Sequence, residues 1–198
     1  DGTKLFLYRS TKKSHGDIYL SEYKDGKWSD PQKMDYPINT KNDETHASLS
    51  ADGKTIFFTS DRKGGYGGLD IYTAELSQDG KWTNVKNLGP NINTSQNEEG
   101  PFLSPDGKTL YFSSKGHKTI GGYDVFKSTL NEDGTWSQAV NMGFPLNTVD
   151  DDIFFVPTAD PGIAYYSSKQ YTGVSNIYTI QMYDESRDII FVRGFVFD

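Results

Sequence analysis

Short apolar runs separated by polar turns cover the chain, and no stretch follows a helical period. Residues 109–114 hold Leu110, Tyr111 and Phe112 in a row, dense enough for a strand buried on both faces. Residues 124–130 carry β-branched and aromatic side chains and predict the next strand, after a loop containing Gly121-Gly122. Residues 101–104 read as a preceding strand, joined to 109–114 by the turn Pro105-Asp106-Gly107-Lys108. The polar Asp-Gly turn in 131–134 closes a hairpin onto a fourth strand, 135–141. In chain order these are strands a, b, c and d. A Gly/Pro/Asn segment over 143–148 leads to the next strand a.

This unit recurs. Trp28, Trp82 and Trp136 lie 54 residues apart, as do Asn39, Asn93 and Asn147, each followed by Thr. The pairs Asp25-Gly26, Asp79-Gly80 and Asp133-Gly134 keep the same spacing, and Asp17, Asp70 and Asp124 each open a strand c. Consecutive four-strand units of this kind predict an all-β fold, a β-propeller whose four-stranded blades pack face to face. About four units fit, near 1–51, 52–105, 106–158 and 159–186. The chain opens on Asp1-Gly2, the turn that should follow a strand a, and the fourth unit loses its turn and its Trp. The expectation is a segment of a larger ring, the alternative a four-bladed ring closed by 188–197 beside the first unit.

Composition narrows the function. The net charge is −7, which argues against nucleic acid, because phosphate binding needs a basic surface. There is no Cys, so disulfides, Cys-ligated zinc and thiol catalysis are excluded. No apolar run approaches a membrane span, so no membrane insertion is expected. With only 34% apolar residues, the 12 Phe, 13 Tyr and 3 Trp must supply much of the buried area.

The motifs carry a family resemblance. Ser50 to Ser60 reads S-x-D-G-K-T-I-F-F-T-S. Gly67 to Tyr72 reads G-G-x-D-I-Y, Asp79 to Trp82 D-G-K-W, and Asn87 to Thr94 N-x-G-x-x-I-N-T. This pattern resembles the TolB-type, WD-repeat-like propeller of OmpA-family periplasmic proteins of the Bacteroidota. The resemblance implies a periplasmic, outer-membrane-associated protein. Its partners would be protein components of the outer-membrane secretion machinery of the type IX pathway. Peptidoglycan would be gripped only by a domain absent from this chain. The tail from Val192 to Asp198 is similar to the first strand of a carboxypeptidase-regulatory-like β-sandwich, so 187–198 is set apart as linker and first strand. The first unit departs from the family, with Lys12-Lys13-Ser14-His15-Gly16 where a double-Gly loop is expected.

Repetition also sorts the candidate chemistry, since a residue present in every blade builds blades. Asp17, Asp70 and Asp124 are expected to accept hydrogen bonds from turn backbone, and the tryptophans to pack. The Asp-Gly-x-Trp turns lack the residue between Asp and Gly that an Asp box of sialidases has. The acidic clusters Asp43-Glu44, Glu98-Glu99 and Asp150-Asp151-Asp152 fall short of a Ca²⁺ ligand set and read as solvated loop charge. His15, His46 and His117 show no metal or catalytic spacing and read as surface histidines. No metal, cofactor or catalytic residue is assigned.

Loop variation concentrates on the face carrying the b–c and d–a loops, where binding residues are favoured. Its b–c loops collect eight cations (Arg9, Lys12, Lys13, Arg62, Lys63, Lys115, Lys118 and Lys169) against Asp61. Its d–a loops collect eight carboxylates (Asp35, Asp43, Glu44, Glu98, Glu99, Asp150, Asp151 and Asp152) against Lys41. A patterned docking face follows, with Arg62, Lys63, Tyr66, Lys115, His117, Lys118, Tyr123 and Tyr171 as protein-binding residues. The expected function is a non-catalytic protein-interaction module, not an enzyme. The alternative is a glycan-binding or hydrolytic propeller with an axial site, marked by an unrepeated polar cluster facing the axis. No such cluster is evident from the sequence.

Overall fold

The computed structural model of the protein describes residues 2–11, 14–160, 162–170 and 173–182. These residues form four antiparallel sheets, the blades of a β-propeller, as expected. The first holds β1 (Lys4–Thr11), β2 (Ser14–Lys24), β3 (Lys27–Trp28) and β4 (Gln32–Lys33). The second holds β5 (Glu44–Leu49), β6 (Thr55–Ser60), β7 (Asp70–Leu76) and β8 (Trp82–Asn87). The third holds β9 (Glu98–Leu103), β10 (Thr109–Ser114), β11 (Asp124–Thr129) and β12 (Val140–Asn141). The fourth holds β13 (Asp152–Pro157), β14 (Ile163–Ser168) and β15 (Asn176–Gln181). β5, β9 and β13 are the innermost strands, and β1 touches β5, β5 touches β9 and β9 touches β13. Lys12, Lys13, Tyr171, the closing strand at 188–197 and the sandwich strand lie outside the described residues.

The core sits between blades. Phe57 and Ile71 of the second blade meet Leu110, Phe112 and Phe126 of the third, while Val125 of the third meets Phe155, Ala164 and Tyr166 of the fourth. Ile38, Ile92 and Leu146, 54 residues apart in the d–a linkers, are all buried. Trp136 packs edge-on to Phe57 with ring centroids 6.3 Å apart, the expected packing role. Trp28 does not follow it: it is exposed at the rim and leans on Tyr23.

The repeated polar residues fasten the linkers. Asn93 Oδ1 accepts from Ile71 N–H (2.8 Å) and its Nδ2 donates to Ile71 O (3.0 Å). Asn39 clamps Ile18 and Asn147 clamps Val125 in the same way. Asp70 accepts from the N–H groups of Tyr66 and Gly67 and from Asn87 Nδ2, the turn-backbone role expected of it. Asp124 repeats this with Ile120 and Asn141, whereas Asp17 takes Lys33 Nζ at 2.7 Å.

Two expectations are corrected here. Strand a begins at Glu98, not at residue 101, and its leading acid is not solvated. Glu44, Glu98 and Asp152 are fully buried. Glu98 accepts from Thr94 N–H and Oγ1 and from Ser114 Oγ; Glu44 accepts from Thr40 and Ser60, and Asp152 from Thr148. Burial pushes the carboxyls of Glu98 and Asp152 up from their ordinary values.

Arg62 is likewise no rim charge. Its guanidinium is mostly buried and donates to Pro37 O (3.1 Å) and Ile38 O (2.7 Å), with Glu44 Oε1 at 3.4 Å. It lies over the rings of Phe58 and Tyr72. In the next blade His117 reaches the homologous carbonyl, Ile92 O, at 2.9 Å. A carbonyl only accepts, so Nε2 carries the proton. Arg62 and His117 are therefore latches between a b–c loop and the preceding linker. His117 is not a surface histidine.

Candidate functional site

Subtracting the repeated parts leaves a small set of unique side chains near the axis. Each innermost strand has one residue more than its partner over the same stretch. In β5 the register passes from Glu44↔Ser60 to Ala47↔Phe58; β9 and β13 slip alike at 99–102 and 153–156. Such bulges re-aim side chains, here beside the axis. At homologous positions the bulges present His46, Gly100 and Phe154. Gly100 and Phe154 both hold left-handed backbone, φ 58° and 60°. For a bulky residue such as Phe154 this is a strained conformation. Gly100 leaves room for its ring: a Cβ there would stand 2.8 Å from Phe154 Cδ1.

The Phe154 ring packs on the His46 ring with centroids 4.6 Å apart. His46 Nδ1 lies 2.6 Å from Glu99 Oε2. No aligned hydrogen bond joins the two atoms. Thr45 Oγ1 donates to the same Oε2 at 3.3 Å, and Glu99 Oε1 meets no donor among the described residues. His46 is thus half-buried at the axis, not the surface histidine expected. Below the pair, toward the a–b turns, lies a cavity of about 180 Å³ whose lining includes Tyr8, Ile18, His46, Gly100, Phe154 and Val156. All four sheets contribute to it.

On the loop side of Glu99 stands Tyr123. Its hydroxyl is pushed up to about 12, first by burial and then by the Glu99 carboxylate, with Asp151 acting in the same direction. Lys115 Nζ sits 4.4 Å from the centre of the Tyr123 ring. Asp151 accepts from Tyr123 N–H (3.0 Å) and from Lys169 Nζ (2.8 Å), and the lysine holds its carboxyl below the ordinary value. The unrepeated polar residues near the axis are therefore His46, Glu99 and Tyr123; Asp151, beside them with Lys115 and Lys169, holds a repeated position whose homologues Asp43 and Asn97 also accept from b–c loop N–H groups. None of the homologues of Glu99, Thr45 and Ile153, is acidic, and the residue matching Tyr123 in the preceding blade is Leu69.

Of the residues expected on a docking face, Lys115 and Tyr123 join this cluster and Arg62 and His117 are latches. Lys63, Tyr66 and Lys118 are exposed in the b–c loops, away from it, and Tyr171 is outside the described residues. The acidic and basic loops do not stay apart: Lys169 pairs with Asp151 across them. Among the described residues no group of three His, Asp or Glu gathers as a metal site.

No protein-family model matches the chain, and no curated protein matches its sequence. Solved structures do match in fold. An endo-arabinase from Bacteroides thetaiotaomicron superposes with a TM-score of 0.61 at 17% identity, over 94% of this chain and 72% of that one. An α-L-arabinofuranosidase from Lactobacillus brevis gives 0.60 at 16%, over 93% and 71%. An α-L-arabinanase from Penicillium chrysogenum, complexed with arabinobiose, gives 0.55 at 15%, over 92% and 60%. At these identities the likeness establishes the propeller fold. All three are enzymes, so the fold gives no ground for the expectation that the chain is not an enzyme, and that expectation is withdrawn.

Proposed function

We propose that the chain is a carbohydrate-directed propeller of glycoside-hydrolase type, binding its ligand at the axial mouth. The observation that carries this reading is the unrepeated trio His46, Glu99 and Tyr123, with the Asp151 carboxylate beside it, over a cavity with an aromatic floor. Glycoside hydrolysis needs two carboxyl groups flanking the bond, one to move a proton and one ionised. Lys169 keeps Asp151 ionised, and Glu99 keeps one oxygen open to a ligand. Tyr123, with its hydroxyl pushed up to about 12, stays protonated and serves as a hydrogen-bond donor rather than a nucleophile. The cavity, about 180 Å³, is smaller than the ~300–1,000 Å³ of ordinary small-molecule sites, which suits one sugar ring and not a chain. Phe154 and Tyr8 offer that ring flat apolar faces.

The test is incubation with soluble arabinan, xylan and β-glucan, measuring binding by calorimetry and released reducing ends. Glu99→Gln is expected to cut turnover by at least about a hundredfold, as loss of a proton-transfer group does, with binding and melting temperature retained. Wild-type protein that neither binds nor cleaves any of these glycans defeats the reading. So does turnover unchanged in Glu99→Gln.

A further inference from the structure

The rim of the propeller carries a second recess. It lies between the outer strands of the first two blades and has a volume of about 810 Å³, inside the ~300–1,000 Å³ range of ligand sites. Leu20, Met34 and Val85 line it, with Trp82 on one wall and Asp35 and Tyr36 on the other. Tyr36 is 82% exposed, and the Asp35 carboxylate meets no donor among the described residues.

The third blade shows what this seam looks like when stitched. There Trp136 replaces Trp82 and is 9% exposed. Its carbonyl accepts from Asn91 Nδ2 at 2.7 Å, and Asn91 O accepts from Ala139 N–H. In the first seam the homologue of Asn91 is Pro37, which has no side-chain donor, and the homologue of Pro90 is Tyr36. No hydrogen bond joins 34–37 to 82–85, and Trp82 stays half-buried. The stitched seam keeps a recess as well, about 660 Å³ beside Pro90, Asn91 and Trp136; what sets the first seam apart is the missing stitch and the exposed Tyr36 ring in place of Pro90.

The outer edge of β8 is unsuited to an added peptide strand. Three of its steps oppose two on β7, and Asn84 holds φ 53° within that bulge. A bulged edge breaks the ladder that strand addition needs. What remains is an aromatic side chain on each wall with a carboxylate next to one of them, the chemistry that takes a sugar ring by its apolar face and its hydroxyls.

We infer that this cleft is a second carbohydrate site, with Tyr36 and Trp82 as stacking faces and Asp35 as hydroxyl acceptor. It holds a polysaccharide chain on the rim while the axial mouth takes a single ring. The choice of ligand class rests on the carbohydrate reading above; the location does not.

The same soluble arabinan, xylan and β-glucan, and their oligosaccharides, are titrated into the full chain with tryptophan fluorescence as readout. Tyr36→Ala is the first variant, since an exposed side chain is removed without touching the core. Asp35→Asn is the second. Each is expected to weaken polysaccharide binding about tenfold, the size of one lost aromatic contact, while cleavage of short oligosaccharides is unchanged. Glu99→Gln is expected to leave this binding intact. Unaltered polysaccharide affinity in both rim variants overturns the inference. If neither rim variant alters binding while Glu99→Gln loses turnover, the cleft is refuted and the axial reading stands. If no glycan binds the wild type, both fall.

Discussion

Glu98 shows how a single side chain can be misjudged by its type. As a charged residue beside another it reads as loop, yet it is fully buried and accepts three hydrogen bonds. The signal was present as Thr40 with Glu44, Thr94 with Glu98 and Thr148 with Asp152, each pair four residues apart and repeated. Glu98→Gln is expected to destabilise by about 1–3 kcal/mol, because an amide NH₂ replaces one acceptor among fixed donors. The pH response supplies a sharper mark. The Glu98 carboxyl binds its proton more tightly folded than unfolded, so its contribution to stability falls as pH rises from 4.5 through the raised native value. Asp151, held low by Lys169, acts oppositely: its contribution is lost as pH falls below 3.8. Melting curves from pH 2 to 8 check this, with Glu98→Gln expected to show a flatter slope above pH 4.5 than wild type.

At the scale of strands, legibility followed pairing. Strand b of the third unit was read without error and strand c to within a residue, because both are paired on two sides and densely apolar. Strand d was expected over 135–141. It is reduced to Val140–Asn141 and an isolated bridge between Leu130 and Trp136, as an outermost strand has a partner on one side only. The bulges were invisible, since nothing in the residue types of Thr45-His46 or Glu99-Gly100 announces an extra residue. With the bulges went the site: His46 and Glu99 were sorted by loop, while the informative comparison was between aligned positions in successive blades. Gly100→Ala tests the bulge. The added methyl meets Phe154 and sits at φ 58°. Strain of about 1–3 kcal/mol is expected, together with loss of glycan binding, measured by calorimetry and thermal melting. Unchanged stability and binding would show that Phe154 has space to move.

The whole molecule is a row of similar blades whose cores lie at the seams. The four-unit architecture was legible because repetition amplifies weak signals. The chemistry was not, since a site on the axis is drawn from strands and loops of different blades and exists only once those blades pack together. Charge balance by loop class failed for the same reason, as Lys169 and Asp151 come from different classes and meet in space.

The asparagine clamps have a consequence for how this chain can be cut and rejoined. Asn93 belongs by sequence to the passage between the second and third blades, but both its bonds to backbone return to Ile71 of the blade being left. Those passages are therefore poor places for a protease or a new terminus. The exposed a–b turn at Asp106-Gly107 is the better one, since Ser104 and Lys108 hold it only locally. Small polar loop tips generally tolerate such breaks. A flexible insert placed between Asp106 and Gly107 is expected to leave the melting temperature within a few degrees of the parent's. The same operation between Asn91 and Ile92 is expected to abolish cooperative melting. Equal tolerance at both sites would mean that the clamps follow the fold rather than hold it.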